Sequence, residues 1–251
     1  MDYGLTGKVA IVTGGTRGIG RAIADSLADA GCRTYVCARS KPDDLSDNLE
    51  YRTLDVRDAD AVDSFVTEIA AEAGAVDILV NNAGGSPASD AATASTRFAD
   101  AITKLNLLAP YYLARAAHPH MKAAGGGSII NIASVSGIRP SPTTAIYGAS
   151  KAGLLSLTKS LAQEWGPDAI RVNAIIVGLA ETENSEETYG DDVARARIAK
   201  SLPLGRMVQG DDVARAVLYL ASEASNYVSG AHLNVDGGGE RPLFLDLIKG
   251  G

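Results

Sequence analysis

Short apolar, β-branched runs recur along this chain, and longer amphipathic stretches separate most of them. The first run, residues 8–13 (Lys-Val-Ala-Ile-Val-Thr), is followed by glycines and then by helical periodicity over residues 18–30. Further strand-like runs lie at 33–38, 50–56, 76–81, 128–133, 170–177 and 231–235. Stretches with a 3.6-residue apolar period fall at 58–73, 96–123, 145–166 and 211–221. Nearly continuous apolar strands alternating with amphipathic helices predict an α/β fold. Its sheet is expected to be parallel and doubly wound, of about seven strands, with helices on both faces. Two segments break the rhythm. Residues 41–48 are polar and contain Pro42, so the second crossover is expected to lack a full helix. Residues 181–206 form a long polar stretch after the sixth strand, where ligands bind in such folds, and are expected to act as a substrate lid.

A chain of 251 residues can bury one sizeable core, and a single domain over 1–251 is expected. Hydrophobic residues make up 46% and charged residues 21%, an ordinary globular balance. The net charge of −7 argues against nucleic acid or an anionic membrane as partner. No apolar run reaches the length of a membrane span, and the first residues carry no secretory pattern, so a cytoplasmic location is expected. Cys32 and Cys37 flank one strand, too far apart along it for a disulfide, and are expected to be reduced. His118 and His120 point to different helix faces, with no carboxylate cluster nearby in sequence, and no metal site is expected.

The candidate chemistry centres on Tyr147. Of nine tyrosines, it alone has a lysine at i+4, Lys151, and Ser134 lies thirteen residues earlier. On a helix that spacing puts phenol and ammonium on one face, a turn apart. A phenol ionises near pKa ~10, and a fixed cation beside it is expected to move that value toward neutrality. With a serine hydroxyl to hold the oxygen, the trio suits proton transfer to an oxygen whose carbon exchanges hydride.

Thr13-Gly-Gly-Thr-Arg-Gly-Ile-Gly20 joins the first strand to the first helix. Glycines 14, 18 and 20 allow backbone to approach a pyrophosphate at a helix N-terminus, with Thr16, Arg17 and Ile19 as neighbours in the loop. An NAD-binding site usually ends its second strand with an acid for the ribose hydroxyls. Here Ala38 stands at that point, followed by Arg39 and Ser40. Arg17 and Arg39 together suit a 2′-phosphate, so NADP(H) is favoured over NAD(H). Asp55 and Val56, closing the third strand, are candidates for the adenine edge.

With these residues assembled, the chain closely resembles the short-chain dehydrogenase/reductase family, in its branch of about 250 residues with a Rossmann-like sheet. Thr13-Gly-x-x-x-Gly-Ile-Gly20 matches the family's cofactor loop, and Asn81-Asn82-Ala83-Gly84 its turn after the fourth strand. Ser134, Tyr147 and Lys151 match three catalytic residues, and Asn106, twenty-eight residues before Ser134, matches the fourth. Val235-Asp-Gly-Gly238 matches the usual close of the last strand. The resemblance implies an oxidoreductase interconverting a ketone and a secondary alcohol. In it Tyr147 is the general acid or base, Ser134 holds the substrate oxygen, Lys151 lowers the tyrosine pKa and binds the nicotinamide ribose, and Asn106 supports a water chain. It also implies cofactor contacts from Asn82, Ala83, Gly84, Gly178, Ala180 and Thr182. The Tyr-x3-Lys spacing sets the chain with carbonyl reducers rather than enoyl reducers. One departure stands out: Val177-Gly-Leu-Ala-Glu-Thr182 has valine where the family usually has proline, which leaves φ unlocked and adds a backbone donor.

The resemblance does not name a substrate. Glu181, Glu183, Glu186, Glu187, Asp191 and Asp192 make the lid acidic, against Arg195, Arg197 and Lys200. Residues 123–127 and 165–169 offer no base, and the second contains Asp168. Such a rim would repel carrier proteins and coenzyme A, which favours a neutral, largely apolar ketone or alcohol. Gly85, Ser86, Ile138, Thr144 and Leu179 are pocket candidates. A 3-oxoacyl-thioester reductase is the alternative, and a non-catalytic dinucleotide sensor a third reading. In the resembled family the helices corresponding to 96–123 and 145–166 form a four-helix dimer interface, so the resemblance implies a homotetramer or homodimer. The apolar tail within 240–251 is expected to pack on a neighbouring subunit.

Overall fold

The computed structural model describes residues 3–183, 185–242, 244 and 248. Seven strands form one sheet in the order β3-β2-β1-β4-β5-β6-β7, every pair parallel. They are β1 (Val9–Thr13), β2 (Arg33–Ala38), β3 (Leu49–Thr53), β4 (Ile78–Asn81), β5 (Gly127–Ser134), β6 (Ile170–Val177) and β7 (His232–Val235). The long helices are α1 (Gly18–Asp29), α2 (Ala59–Ala73), α3 (Thr96–Thr103), α4 (Ala109–Ala123) and α5 (Ala145–Trp165). Beyond β6 come α6 (Ser185–Tyr189), α7 (Asp192–Ser201) and α8 (Gly210–Ala221). As expected, β2 runs into β3 without a helix.

Parallel strands covered on both faces have no solvent side, which is why β1 is buried at every position. Ile23, Leu27, Val213 and Val217 of α1 and α8 pack with Val12, Val36 and Val80 on one face. Phe65, Ile69, Leu113, Met121 and Trp165 of α2, α4 and α5 pack with Ile11, Leu79 and Ile129 on the other. Edge strand β3 is buried only at Leu49 and is half-buried or exposed over its other four residues. Its Glu50 and Arg52 join Arg33 and Glu72 in a surface ion-pair network, and both arginines lie over the Tyr35 ring.

Strand order reverses between β1 and β4, so their carboxyl ends open the crevice where ligands bind in this topology. A buried polar chain sets α5 against that crevice. Asn81 Nδ2 donates to Asn131 Oδ1 at 2.9 Å, Asn131 Nδ2 to Thr158 Oγ1 at 2.9 Å, and Thr158 to the Leu154 carbonyl at 2.8 Å. Hydrogen bonds of this kind fix one register, because a slip would strand buried polar groups.

Two expectations are revised. The amphipathic stretch at 96–123 is not one helix: a π-helical turn, Lys104–Leu108, separates α3 from α4. The segment 181–206 is not a plain loop, since α6 and α7 lie within it, with Asp191 capping α7 through a 2.9 Å bond from the Ala194 N–H. The fold also brings Asp168 to 2.9 Å from His118 Nε2 and to 2.9 Å from Lys122 Nζ, a single carboxylate shared by the two. Cys32 and Cys37 are both free and buried, and burial raises their thiols to about 11 and about 12. Among the described residues no helix is long and apolar enough to cross a membrane. Most of the apolar tail lies outside the described residues; Phe244 and Ile248 are exposed.

Candidate active site

The glycine loop and the Asn81–Gly84 turn are built against each other across the crevice. The Thr13 hydroxyl accepts from the N–H groups of Asn82 and Ala83, both at 3.0 Å. Asn82 Nδ2 returns bonds to the carbonyls of Thr13 at 2.9 Å and Gly14 at 3.2 Å. Gly14 has φ 62°, and a Cβ there would lie 3.2 Å from Ala83 Cα. A Cβ on Gly20 would lie 2.3 Å from the Gly14 carbonyl oxygen, so the turn needs glycine at both points. Ile19 packs on the core beneath, while Thr16 is half-buried and Arg17 exposed. Arg17, at the N-cap of α1, makes no side-chain cap, and no acid lies in the first turn of that helix. An anion reaches the place from elsewhere: Glu183 Oε1 accepts from the Gly18 N–H at 3.0 Å.

A second cluster lies where β5 meets α5. Ser134 ends β5; its Oγ accepts from the Ser136 N–H at 3.1 Å, and its hydroxyl is near enough to the Tyr147 phenol to favour the phenolate. One helical turn on, Lys151 is buried and donates to the Ile132 carbonyl at 2.7 Å, with its ammonium 5.7 Å from the Tyr147 ring centre. Asn106 sits in the π-helical turn, a device that re-aims one side chain within a continuing helix. Its Oδ1 accepts from the Gly85 N–H at 2.9 Å, and its Nδ2 donates to the carbonyls of Gly85 at 3.0 Å and Ile102 at 2.9 Å. Gly84 joins the clusters: a Cβ there would stand 2.8 Å from Asn106 Oδ1 and 3.2 Å from Lys151 Nζ. The four residues singled out by spacing therefore converge.

The electrostatics depart from expectation at Tyr147. Its pKa is raised, not lowered, because burial penalises the phenolate more than the Ser134 hydrogen bond favours it, and nearby Tyr189 adds to the rise. Lys151 is itself brought down to about 8 by burial. The lysine's own desolvation weakens the help that the spacing argument assigned to it. At neutral pH the corner holds a protonated phenol, suited to donate a proton, beside an ammonium.

At the far end of the crevice Arg17, Arg39 and Ser40 are exposed, and no ion pair among the described residues uses either arginine. Arg39 is close enough to Asp55 to act on its charge. The Asp55 carboxylate pairs with Arg57 at 2.6 Å and is brought down to about 2 mainly by that bond, so it stays ionised and able to accept further hydrogen bonds. Val56 is buried beside it.

After β6 the chain is held closely. Val177, in proline's usual place, is buried between Ser134 and Val235 in the sheet register. The Gly178 N–H bonds the Val235 carbonyl at 2.9 Å, and a Cβ there would lie 2.8 Å from Asp236 Cα. Ala180 bridges to Val208, whose N–H bonds the Leu179 carbonyl at 2.9 Å, and the Thr182 N–H bonds Ser185 Oγ at 2.6 Å.

Of the pocket candidates, Ile138 is exposed, Ser86 Oγ bonds the Pro87 carbonyl at 2.8 Å, and Thr144 Oγ1 lies 2.7 Å from Ser141 Oγ. Gly85 takes φ 125°, closed to most side chains. Spacing alone missed several groups here. Tyr189 of α6 lies near Tyr147, and the charges of Arg139 and Glu240 act on its phenol. Arg139 Nη2 donates to Glu240 Oε1 at 3.0 Å. Arg139 could have been flagged by its place five residues after Ser134; Glu240, a hundred residues away, carries no local signal.

Comparison with known proteins agrees with this geometry. Residues 14–240 match the family described as enoyl-(acyl carrier protein) reductase. The chain is 36% identical to the 2-dehydro-3-deoxy-D-gluconate 5-dehydrogenase of Escherichia coli, over 94% of this chain and 96% of the relative. It is also 36% identical to the 3-oxoacyl-[acyl-carrier-protein] reductase FabG of Chlamydia muridarum, over 95% and 99%. A crystal structure from Beutenbergia cavernae, described as an NAD(P)-dependent gluconate 5-dehydrogenase with NADP bound at low occupancy, superposes with TM-score 0.88 at 34% identity, covering 95% of this chain and 98% of that one. With its parallel sheet, its crevice at the strand-order reversal and relatives of this kind, the chain belongs to the short-chain dehydrogenase/reductase family, as an oxidoreductase acting on CH–OH and C=O groups.

Proposed function

We propose that the protein is an NADP(H)-dependent oxidoreductase that interconverts a ketone and a secondary alcohol, with Tyr147 as the general acid or base. The observation that carries this reading is the corner in which the buried Lys151 ammonium lies one helical turn from Tyr147, 5.7 Å from its ring centre, with the Ser134 hydroxyl acting on the same phenol. Ser134 holds the substrate oxygen, and Tyr147 delivers or removes its proton. Lys151 keeps two ammonium protons beyond its bond to Ile132, enough to grip ribose hydroxyls. Asn106 fixes the Gly84–Gly85 backbone beside that ammonium.

The residues present suit a nicotinamide dinucleotide. The glycine turn has no room for side chains at Gly14 and Gly20, and a carboxylate already rests on a backbone donor at the α1 N-terminus. Gly14, Thr16, Gly18 and Ile19 would hold its pyrophosphate, and Arg17, Arg39 and Ser40 its 2′-phosphate. Val56, Asn82 and Ala83 would line the adenosine side, and Gly178, Ala180 and Thr182 the nicotinamide. When bound, the group supplies or accepts the hydride. The exposed guanidiniums of Arg17 and Arg39, with no acid at Ala38, support NADP(H) over NAD(H).

The substrate is a small carbonyl or alcohol compound, and polar groups lie near Tyr147 besides the acidic lid. Tyr189 acts on the Tyr147 phenol, and the paired charges of Arg139 and Glu240 act on Tyr189, which supports a substrate that carries further polar groups over a wholly apolar ketone. The gluconate relative is consistent with this reading. A 3-oxoacyl-thioester reductase is the second reading, favoured by likeness to the carrier-protein reductase. The acidic lid and the capture of Lys122 by Asp168 weigh against it. Exposed Leu108, Tyr111 and Ile146 on and beside α4 and α5 support a homodimer or homotetramer. The segment 181–206 serves as the substrate lid.

The test follows nicotinamide absorbance with NADPH and with NADH over polyhydroxy ketones, plain ketones and acyl thioesters, with Tyr147→Phe alongside. Turnover that prefers NADPH and polyhydroxy ketones, and drops by about 10²- to 10⁴-fold in the variant, is expected. A preference for NADH refutes the arginine argument, and a preference for thioesters selects the second reading.

A further inference from the structure

The lid approaches the glycine loop at Gly18. Glu183 Oε1 accepts from the Gly18 N–H at 3.0 Å, and Glu183 Oε2 and Thr182 Cγ2 lie 3.2 and 3.8 Å from where a Cβ on Gly18 would be. Helix α1 supplies no anion of its own at that end: its N-cap, Arg17, makes no side-chain cap, and its first turn contains no acid, while Glu181 and Asp211 line the cavity beside Gly18, whose N–H bonds Glu183. A carboxylate there is stabilised by the unpaired N–H groups and by the helix dipole. Those same features would bind a dinucleotide's pyrophosphate.

Two anions cannot share one backbone donor, and carboxylate and pyrophosphate repel each other at that distance. We propose that Glu183 is an internal, displaceable ligand of the glycine loop. It occupies the pyrophosphate position in the free enzyme and is expelled when the cofactor binds. The inference rests on the dinucleotide reading of the crevice and extends it, because arrival of the cofactor and release of the first lid residues become one equilibrium. Thr182, adjacent in sequence, is freed in the same movement. A cavity of about 380 Å³ lined by Gly18, Thr182, Glu183, Gln209 and Asp211 lies beside the contact and gives the side chain space to withdraw.

The contact is exposed, so its effect is modest and measurable. The apparent dissociation constant is the intrinsic one divided by the fraction of molecules with the loop vacant. A carboxylate held at a helix N-terminus predicts a reduction in cofactor affinity of about two- to five-fold. The experiment titrates full-length wild type, Glu183→Gln and Glu183→Ala with NADPH by fluorescence, and with adenosine 2′-monophosphate, which lacks the pyrophosphate, by calorimetry. NADPH binding that tightens about two- to five-fold in both variants, with adenosine 2′-monophosphate unchanged, is the expected result. Unchanged or weaker NADPH binding overturns the inference. Equal tightening for both ligands also overturns it, since that would be a general charge effect rather than competition at the loop. Wild type that binds no dinucleotide overturns the cofactor reading itself, an outcome distinct from the other two.

Discussion

The catalytic corner and the lid obey different physics although both border one crevice. In the corner, Ser134, Lys151 and Asn106 are tied to backbone groups that the sheet and α5 already hold, and Lys151 and Asn106 are buried. In the lid, α7 buries no residue, Val193 and Leu204 are exposed, and Asp192–Arg195 and Arg206–Asp212 pair at the surface. Exposed pairs of that kind contribute about 0–1 kcal/mol each. The corner is rigid because backbone over-determines it. The lid is held by weak contacts that a ligand can replace, of which the Glu183 bond to Gly18 is the one nearest the cofactor loop. The difference teaches where function tolerates change: small shifts in the corner damage chemistry, whereas lid changes alter binding and local order.

Gly84→Ala should give the larger break in that comparison. Its methyl would sit 2.8 Å from Asn106 Oδ1 and 3.2 Å from Lys151 Nζ, so both groups must move. Misplacement of catalytic groups by such amounts lowers kcat by roughly 10²-fold. The expected result is that loss with the circular dichroism spectrum retained; a variant with wild-type kcat would mean the corner is not tightly determined.

Asp191→Ala should do much less. It removes the Oδ1 cap on the Ala194 N–H and costs about 1 kcal/mol of helix stability, confined to α7. Faster proteolysis within 192–201 with an unchanged Tm is expected. A clear fall in Tm would show that the lid folds with the core.

Much of this was legible in sequence because the signals are local. Apolar runs placed all seven strands, and the i+4 spacing put Tyr147 and Lys151 on one helix face. β3 was expected to start one residue late and to end three residues late because Leu54 and Val56 stay buried after the strand ends. The π turn at Asn106 was invisible, since its residues fit the amphipathic period on either side. The contacts Arg139–Glu240, His118–Asp168 and Gly18–Glu183 join residues 50 or more positions apart, which no window of periodicity can reveal. The Tyr147 pKa went the other way because spacing reports that a cation is near, while burial decides what both groups cost.

That last point supplies the most direct test of the central claim, that a protonated Tyr147 works beside a Lys151 ammonium weakened by burial. Lys151 falls to about 8 from an unfolded value of 10.5, so between those pH values the unfolded chain binds more protons. This group's contribution to stability therefore rises with pH across the window, and a loss of activity there cannot be ascribed to its unfolding the protein. The Tyr147 phenol, raised above its ordinary value, keeps its proton throughout neutral pH. The measurement is kcat/KM for ketone reduction from pH 6 to 10, with structure monitored in parallel. A plateau that falls above about pH 8 while the protein stays folded is the result the account predicts. A rate that climbs steadily through pH 9 would contradict it.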